Sequence, residues 1–176
     1  SYFISPSPFA TEKFISAFNL AKLGREDVIL ESGYPRNDIL INFVSSKVSR
    51  YKEKIGVPRD KKNILYAPTW RDDQHDEKLG YVYDIKADFD YLQKNLADDY
   101  IILFRAHYLV ANDFDFKRYE NFVYDVSDLD DVNDLYLISD LLVTDYSSVF
   151  FDYSNLDKPV IFYMYDLEQY RDKTRG

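Results

Sequence analysis

The sequence predicts an α/β fold: a Rossmann-like parallel sheet with helices on both faces. Three observations carry that reading. Short, nearly continuous apolar runs recur along the chain, stretches with helical spacing separate them, and turn residues mark the joins. Runs that are apolar at successive positions suit strands buried on both faces, as a parallel sheet demands.

Taken in order, Tyr2–Ile4 reads as the end of a strand. Ser7-Pro8 then supplies an N-cap and a first-turn proline to a helix whose apolar face carries Ala10, Phe14, Ala17, Phe18 and Ala21. Val28–Leu30 reads as a second strand. Gly33-Tyr34-Pro35-Arg36-Asn37-Asp38 is a turn, in which Gly33 permits positive φ and Asn37 or Asp38 starts the next helix. That helix carries Ile39, Leu40 and Phe43 and continues, or restarts, toward Tyr51. Further strands are expected at Ile64–Ala67, Tyr100–Phe104, Phe122–Tyr124, Leu141–Thr144 and Val160–Tyr163, with helices at Asp88–Leu96, Val132–Ile138 and Val149–Leu156. Asp72–Tyr81 is polar and aperiodic, which predicts an exposed loop. No repeat or composition shift divides the chain, so residues 1–176 read as one domain, cut from a longer protein that does not start at Ser1.

Composition narrows the function. The 176 residues carry a formal charge of −9, against the basic face that nucleic-acid binding needs, so no nucleic-acid partner is expected. There is no cysteine and only two histidines, His75 and His107, which leaves neither a disulfide framework nor a Cys- or His-rich metal site. No apolar run approaches the roughly 20 residues of a bilayer span, so the chain itself reads as soluble.

Four motifs can carry chemistry. In Leu141–Ser148 an apolar strand ends at Thr144, and Asp145-Tyr146-Ser147-Ser148 leads into a helix. Ligands of open α/β sheets bind beyond such carboxyl ends, where helix N–H groups and serine hydroxyls suit a phosphate. Ser147 or Ser148 serves equally well as a plain N-cap. Arg105 and His107 follow the strand at Tyr100–Phe104 and share a side if it extends that far. Arg105 can clamp phosphate, and His107 can protonate or hydrogen-bond a phosphate oxygen. A salt bridge and a backbone-satisfied imidazole are the plain alternatives. Thr69 and Arg71, with Trp70 between them, follow a third strand, where they can meet phosphate or sugar oxygens or pack at the rim. Arg36, in the Gly33–Asp38 turn, is the candidate contact of the fourth motif. Jointly, Ser147, Ser148, Arg105, His107, Thr69 and Arg71 fall at the ends of three parallel strands, the convergence a diphosphate requires.

Other patterns are set aside. The pairs Asp88/Asp90, Asp113/Asp115 and Asp128/Asp130 read D-x-D, but none follows a clear strand end in a chain of 31 acidic residues, so no metal is assigned. With 5 glycines, no P-loop and no G-x-G-x-x-G, the chain lacks the marks of a generic NTPase or dinucleotide enzyme, and no cofactor is implied. His75 sits among charges and reads as solvated. Tyr163, Tyr165 and Tyr170 read as rim packing.

In this order the segments Gly33–Asp38, Ala67–Asp72, Arg105–Tyr108, Val126–Tyr153 and Tyr170–Gly176 resemble the CDP-glycerol glycerophosphotransferases, the teichoic acid polymerases and primases. The resemblance covers nearly the whole chain. It implies the C-terminal, donor-holding half of a GT-B-like enzyme with two Rossmann-like domains. Ser147 and Ser148 would bind the pyrophosphate of CDP-glycerol, with Asp145 in the same motif. Arg105, Thr69, Arg71 and Arg36 would be further contacts, and His107 the catalytic group beside the transferred phosphoryl. The implied partners are a lipid-linked teichoic acid acceptor and the preceding domain of the same chain. The implied place is peripheral, on the cytoplasmic face of the cell membrane. The family's His-Gly-Thr-Pro-like segment has no counterpart here, so this chain alone is expected to be inactive and to hold CDP weakly. Two alternatives remain: a transferase of CDP-ribitol or a nucleotide sugar, and a phospho-receiver domain with Asp145 as acceptor.

Overall fold

A computed structural model describes residues 2–69, 75–76, 80–82, 85–106, 110–111 and 114–174, which form two compact units, 1–43 and 44–176. In the first unit, β1 (Phe3–Ser5) pairs in parallel with β2 (Ile29–Glu31), each one residue later than the apolar pattern predicts. The crossover contains α1 (Pro8–Ala17), whose first turn is held as expected. Ser7 Oγ accepts from the Ala10 amide at 3.3 Å, and Pro8 sits where no amide is needed. The apolar face runs on to Ala21, but the helix does not. Asn19 takes φ of 51°, a left-handed turn that closes α1 and opens a separate short helix, Leu20–Leu23. A single helical turn, Asp38–Ile41, follows the Gly33 turn, where φ is 77°.

The second unit begins with α2 (Ser45–Ile55), the helix that carries Tyr51. Its main sheet has five strands: β3 (Lys62–Ala67), β4 (Tyr100–Phe104), β5 (Val123–Asp125), β6 (Leu141–Thr144) and β7 (Val160–Phe162). Their spatial order is β7-β6-β3-β4-β5, and every neighbouring pair is parallel. The chain therefore starts in the middle, steps outward twice, returns, and steps outward the other way. Two crossovers lead from β3 on one side and two on the other, so the direction of winding reverses between β3 and β6.

Strand alternation sorts the core. Ile64, Tyr66, Ile102 and Phe104 share one face and pack with Phe89 of α3 (Phe89–Leu96), Tyr119 and Phe122. The rings interlock: Phe89 meets Phe114 edge-on at 4.7 Å, and Phe114 stacks on Phe104 at 5.7 Å. On the other face Leu65, Ile101, Leu103 and Leu142 are fully buried, and α4 (Val132–Ile138) packs on β3 with its own Leu135 sealed from solvent. Burying each such side chain is worth about 1.5–3 kcal/mol.

The helix starts follow from acidic caps. Asp88 accepts from the Tyr91 amide at 2.9 Å, and Asp131 from the Asn133 amide at 2.9 Å. The first half of the Asp88/Asp90 pair is thus a cap. The second half accepts from the Tyr119 hydroxyl at 3.0 Å and pairs with Arg118. Asp115 likewise caps the turn Phe116–Tyr119.

Two expectations need correction. Asp72–Tyr81 is not loop throughout: His75–Asp76 pairs antiparallel with Gly80–Val82, which pairs in parallel with Val110–Ala111. Backbone hydrogen bonding alone makes such a pairing, so polar residues gave no sign of it. The helix expected at Val149–Leu156 is α5 (Val149–Tyr153) followed by a tighter 3-10 turn, Ser154–Leu156, ended by Asp157 at φ 52°. Among the described residues no helix is long and apolar enough to cross a membrane.

Candidate functional site

The reversal of winding between β3 and β6 is where an open α/β sheet leaves a crevice at its carboxyl edge. Both strands stop there in register, with Ala67 opposite Thr144. Thr144 Oγ1 donates to the Ala67 carbonyl at 2.7 Å, which sews the two strand ends together. One residue on, Asp145 is 3% exposed. Its Oδ1 accepts from the Thr69 amide at 2.8 Å and from the Tyr146 amide at 2.7 Å. Two loops that the sequence separates by 76 residues are thereby one assembly.

Beyond Asp145 the chain rises to solvent, with Ser147 half-buried and Ser148 exposed. Ser147 Oγ accepts from the Val149 amide at 3.4 Å, and Ser148 occupies the N-cap position without a side-chain bond. The N-cap alternative is thus met weakly, by Ser147. The helix they open has only five residues, so its dipole is slight, and attraction for an anion falls to the hydroxyls and loop amides. Tyr146 turns away: its hydroxyl donates to Asp166 at 3.1 Å, and its ring lies on Tyr170 at 3.6 Å and 9°. Tyr170, read as rim packing, is therefore the partner that holds this turn against the segment after β7.

Arg105 follows β4, the strand beside β3, and its amide donates to the Tyr66 carbonyl at 3.0 Å. Because β4 stops at Phe104, alternation does not govern Arg105. Its Nη1 donates to the carbonyls of Val126 at 3.2 Å and Leu129 at 2.8 Å, bracing the loop after β5. Ser127 assists by accepting from the Ala106 amide at 3.0 Å. Nothing in the sequence marked Ser127, a single serine among acidic residues. Arg36 belongs to the first unit, where its guanidinium lies 4.3 Å from the Tyr34 ring centroid. Arg71, Trp70 and His107 lie outside the described residues.

The amino edge of the same strands is built differently. The Asn63 amide donates to Asp140 Oδ2 at 2.8 Å, and Asn63 Nδ2 to the Ile138 carbonyl at 2.8 Å. Lys158 Nζ reaches the carbonyls of Tyr136 at 3.3 Å, Leu137 at 3.0 Å and Ser139 at 2.6 Å, closing the end of α4. Burial lowers the Lys158 pKa, opposed by the nearby Asp140. A groove of about 460 Å3 opens on the α3 face, but its lining of Ile64, Leu92, Val143 and Ile161 offers a diphosphate no cation.

The receiver alternative fails on topology. Receivers wind in the order 2-1-3-4-5, whereas this sheet winds 3-2-1-4-5, and the buried Asp145 carboxylate already holds two amides.

Comparison with known proteins agrees with the geometry. The family model described as CDP-Glycerol:Poly(glycerophosphate) glycerophosphotransferase matches residues 1–176. The chain is 49% identical over 176 residues to a teichoic acid poly(glycerol phosphate) polymerase of Bacillus subtilis (strain 168), covering 99% of this chain and 23% of that protein. A solved structure of a variant of the wall teichoic acid polymerase TagF, soaked with CDPG, superposes with a TM-score of 0.87 at 48% identity, covering 99% of this chain and 42% of that one. A teichoic acid poly(ribitol-phosphate) polymerase of Bacillus spizizenii (strain ATCC 23059 / NRRL B-14472 / W23) is more distant. It is 36% identical over 182 residues, covering 94% of this chain and 29% of that protein. The chain thus spans less than half the length of these relatives. A match along its whole length, on a parallel sheet with helices, places this chain in the CDP-glycerol:poly(glycerophosphate) glycerophosphotransferase family.

Proposed function

We propose that this chain supplies the donor-holding part of an enzyme that transfers glycerol phosphate from CDP-glycerol to a teichoic-acid-type polymer. The observation that carries the reading is the convergence of the Thr69 loop and the Asp145–Ser148 loop where the winding of the sheet reverses, in a member of this family. Ser147 and Ser148 face the pyrophosphate with their hydroxyls, Thr69 lines the opposite wall, Arg105 supplies positive charge from the same edge, and Arg71 is a further cationic contact. A chain of net charge −9 needs such a local cluster to hold an anion.

In the reaction the acceptor's terminal hydroxyl attacks the distal phosphorus of CDP-glycerol. A new P–O bond forms, the bond to CMP breaks, and the polymer gains one glycerol phosphate. Positioning and charge neutralisation of the leaving group dominate such a step. His107 hydrogen-bonds or protonates a phosphate oxygen beside the transferred group, and no cofactor takes part. The acceptor is lipid-linked, which puts the enzyme at the cytoplasmic face of the membrane as a peripheral protein. A further domain of the same protein completes the cleft.

NMR titration of the chain with CDP-glycerol, CDP-ribitol and a UDP-sugar tests the reading. CDP-glycerol is expected to bind most tightly and to shift the amides of Thr69, Ser147 and Ser148. Preference for CDP-ribitol or the UDP-sugar moves the donor assignment, and shifts confined to other surfaces remove the site.

A further inference from the structure

Within the carboxyl-edge assembly one side chain is at odds with an anion site. Asp145 is an acidic side chain in the motif that is to receive a pyrophosphate, and a carboxylate beside a diphosphate repels it. Its surroundings resolve the conflict. Asp145 is 3% exposed, its Oδ1 gathers two amides, and its chain neighbour Thr144 is bonded across the strands at 2.7 Å. Charge-assisted bonds of this kind are stronger than neutral ones and disperse the charge onto the donors. The geometry also fixes direction. By taking the Thr69 amide at 2.8 Å, the carboxylate sets where the Thr69 turn sits relative to Ser147 and Ser148.

We propose that Asp145 is a positioning residue and not a donor contact: it latches the Pro68–Thr69 turn onto the Asp145–Ser148 turn, so that both present one preformed cradle. The inference rests on the donor-site reading above and deepens it. What the latch needs is an acceptor oxygen at Oδ1, not a charge. The amide of asparagine offers that oxygen on the same skeleton, and alanine offers none. A residue that met the donor through its charge would lose its role in both substitutions.

Two readouts on the intact chain test the latch, and one needs no ligand. In Asp145→Ala, the Thr69 amide is expected to exchange with solvent at least about tenfold faster, whereas the amides of Leu65 and Leu142 in the strands keep their protection. In Asp145→Asn, Thr69 protection returns to within about threefold of the parent. Titration with CDP-glycerol should follow the same order, with affinity lost about tenfold or more in the alanine variant and largely rescued in the asparagine variant. Unchanged Thr69 exchange in Asp145→Ala overturns the latch. So does an asparagine variant that protects Thr69 yet binds as poorly as alanine, because the charge would then be the active property. Should the parent chain show no affinity for CDP-glycerol, the donor reading fails while the exchange comparison still decides the latch. A general loss of protection in Asp145→Ala, reaching Leu65 and Leu142, assigns Asp145 to overall stability and overturns the positioning role.

Discussion

The two ends of the β3–β6 pair use one device for two purposes. At the amino end Asp140, just before β6, takes the Asn63 amide at 2.8 Å; at the carboxyl end Asp145, just after β6, takes the Thr69 amide at 2.8 Å. Around Asp140 the surroundings complete a closed structure, for Lys158 and Asn63 satisfy the carbonyls that end α4. Around Asp145 the polar groups continue outward to a half-buried and an exposed serine. The same carboxylate-to-amide tie therefore makes a sealed joint at one end and a platform at the other. What separates the two ends is whether the next polar groups are buried, as Asn63 and Ser139 are, or rise to solvent, as Ser148 does.

The comparison can be broken by substitutions at each end. Replacing Lys158 by Met removes the donor to three carbonyls, among them that of fully buried Ser139. Relief of the ammonium's desolvation offsets part of that loss, and chemical denaturation should register about 2 kcal/mol lower stability. CDP-glycerol titration of the Lys158→Met chain should be unchanged. The reverse pattern is expected at the other end. The double variant Ser147→Ala, Ser148→Ala should lose about tenfold in CDP-glycerol affinity while its stability stays within about 0.5 kcal/mol of the parent. If both substitutions moved the same observable, the division between joint and platform would be lost.

The smallest effect is a titration. Tyr153 is fully buried, its hydroxyl donates to the Ser139 carbonyl at 3.4 Å, and burial raises its pKa well above the usual 10, with Asp140 adding to the rise. The folded chain keeps this phenol proton at pH values where the unfolded chain releases it. The stabilisation is complete below pH 10 and shrinks as pH climbs toward the folded value. At about pH 10.5 the parent should have lost about 0.8 kcal/mol more than Tyr153→Phe, relative to neutral pH, as read by denaturation midpoints. Equal losses would show that Tyr153 does not report on the amino-end joint.

Much of this layout is readable in the residues. Leu141–Thr144, Tyr100–Phe104 and Val132–Ile138 take the bounds that their apolar spacing sets, because burial on one or both faces constrains every position. The neighbour of each strand is another matter. Periodicity says that β3 is a strand, not that β6 lies beside it. Strand ends were legible too: Thr69 and Asp145 follow β3 and β6 at one edge of the sheet and are bonded there. Partners were not legible. Arg105 was read for its charge, but its Nη1 hydrogen bonds go to two carbonyls of a loop some twenty residues away. Hydrogen-bond partners depend on how distant segments come together, and that is decided by topology rather than local pattern.

The tie between Ala67 and Thr144 bears on the order of assembly. It joins residues 77 apart, and β3 must wait for two intervening strands before β6 can reach it. Closing so long a segment has an entropic cost, and chains rich in such distant pairings fold slowly. The local turns and the β3–β4 pair can therefore form while the nascent chain still lacks the crevice between β3 and β6. The crevice itself arrives with the closure of β6 onto β3, so any ligand that favoured it would act on a late stage of folding and leave the early stages untouched.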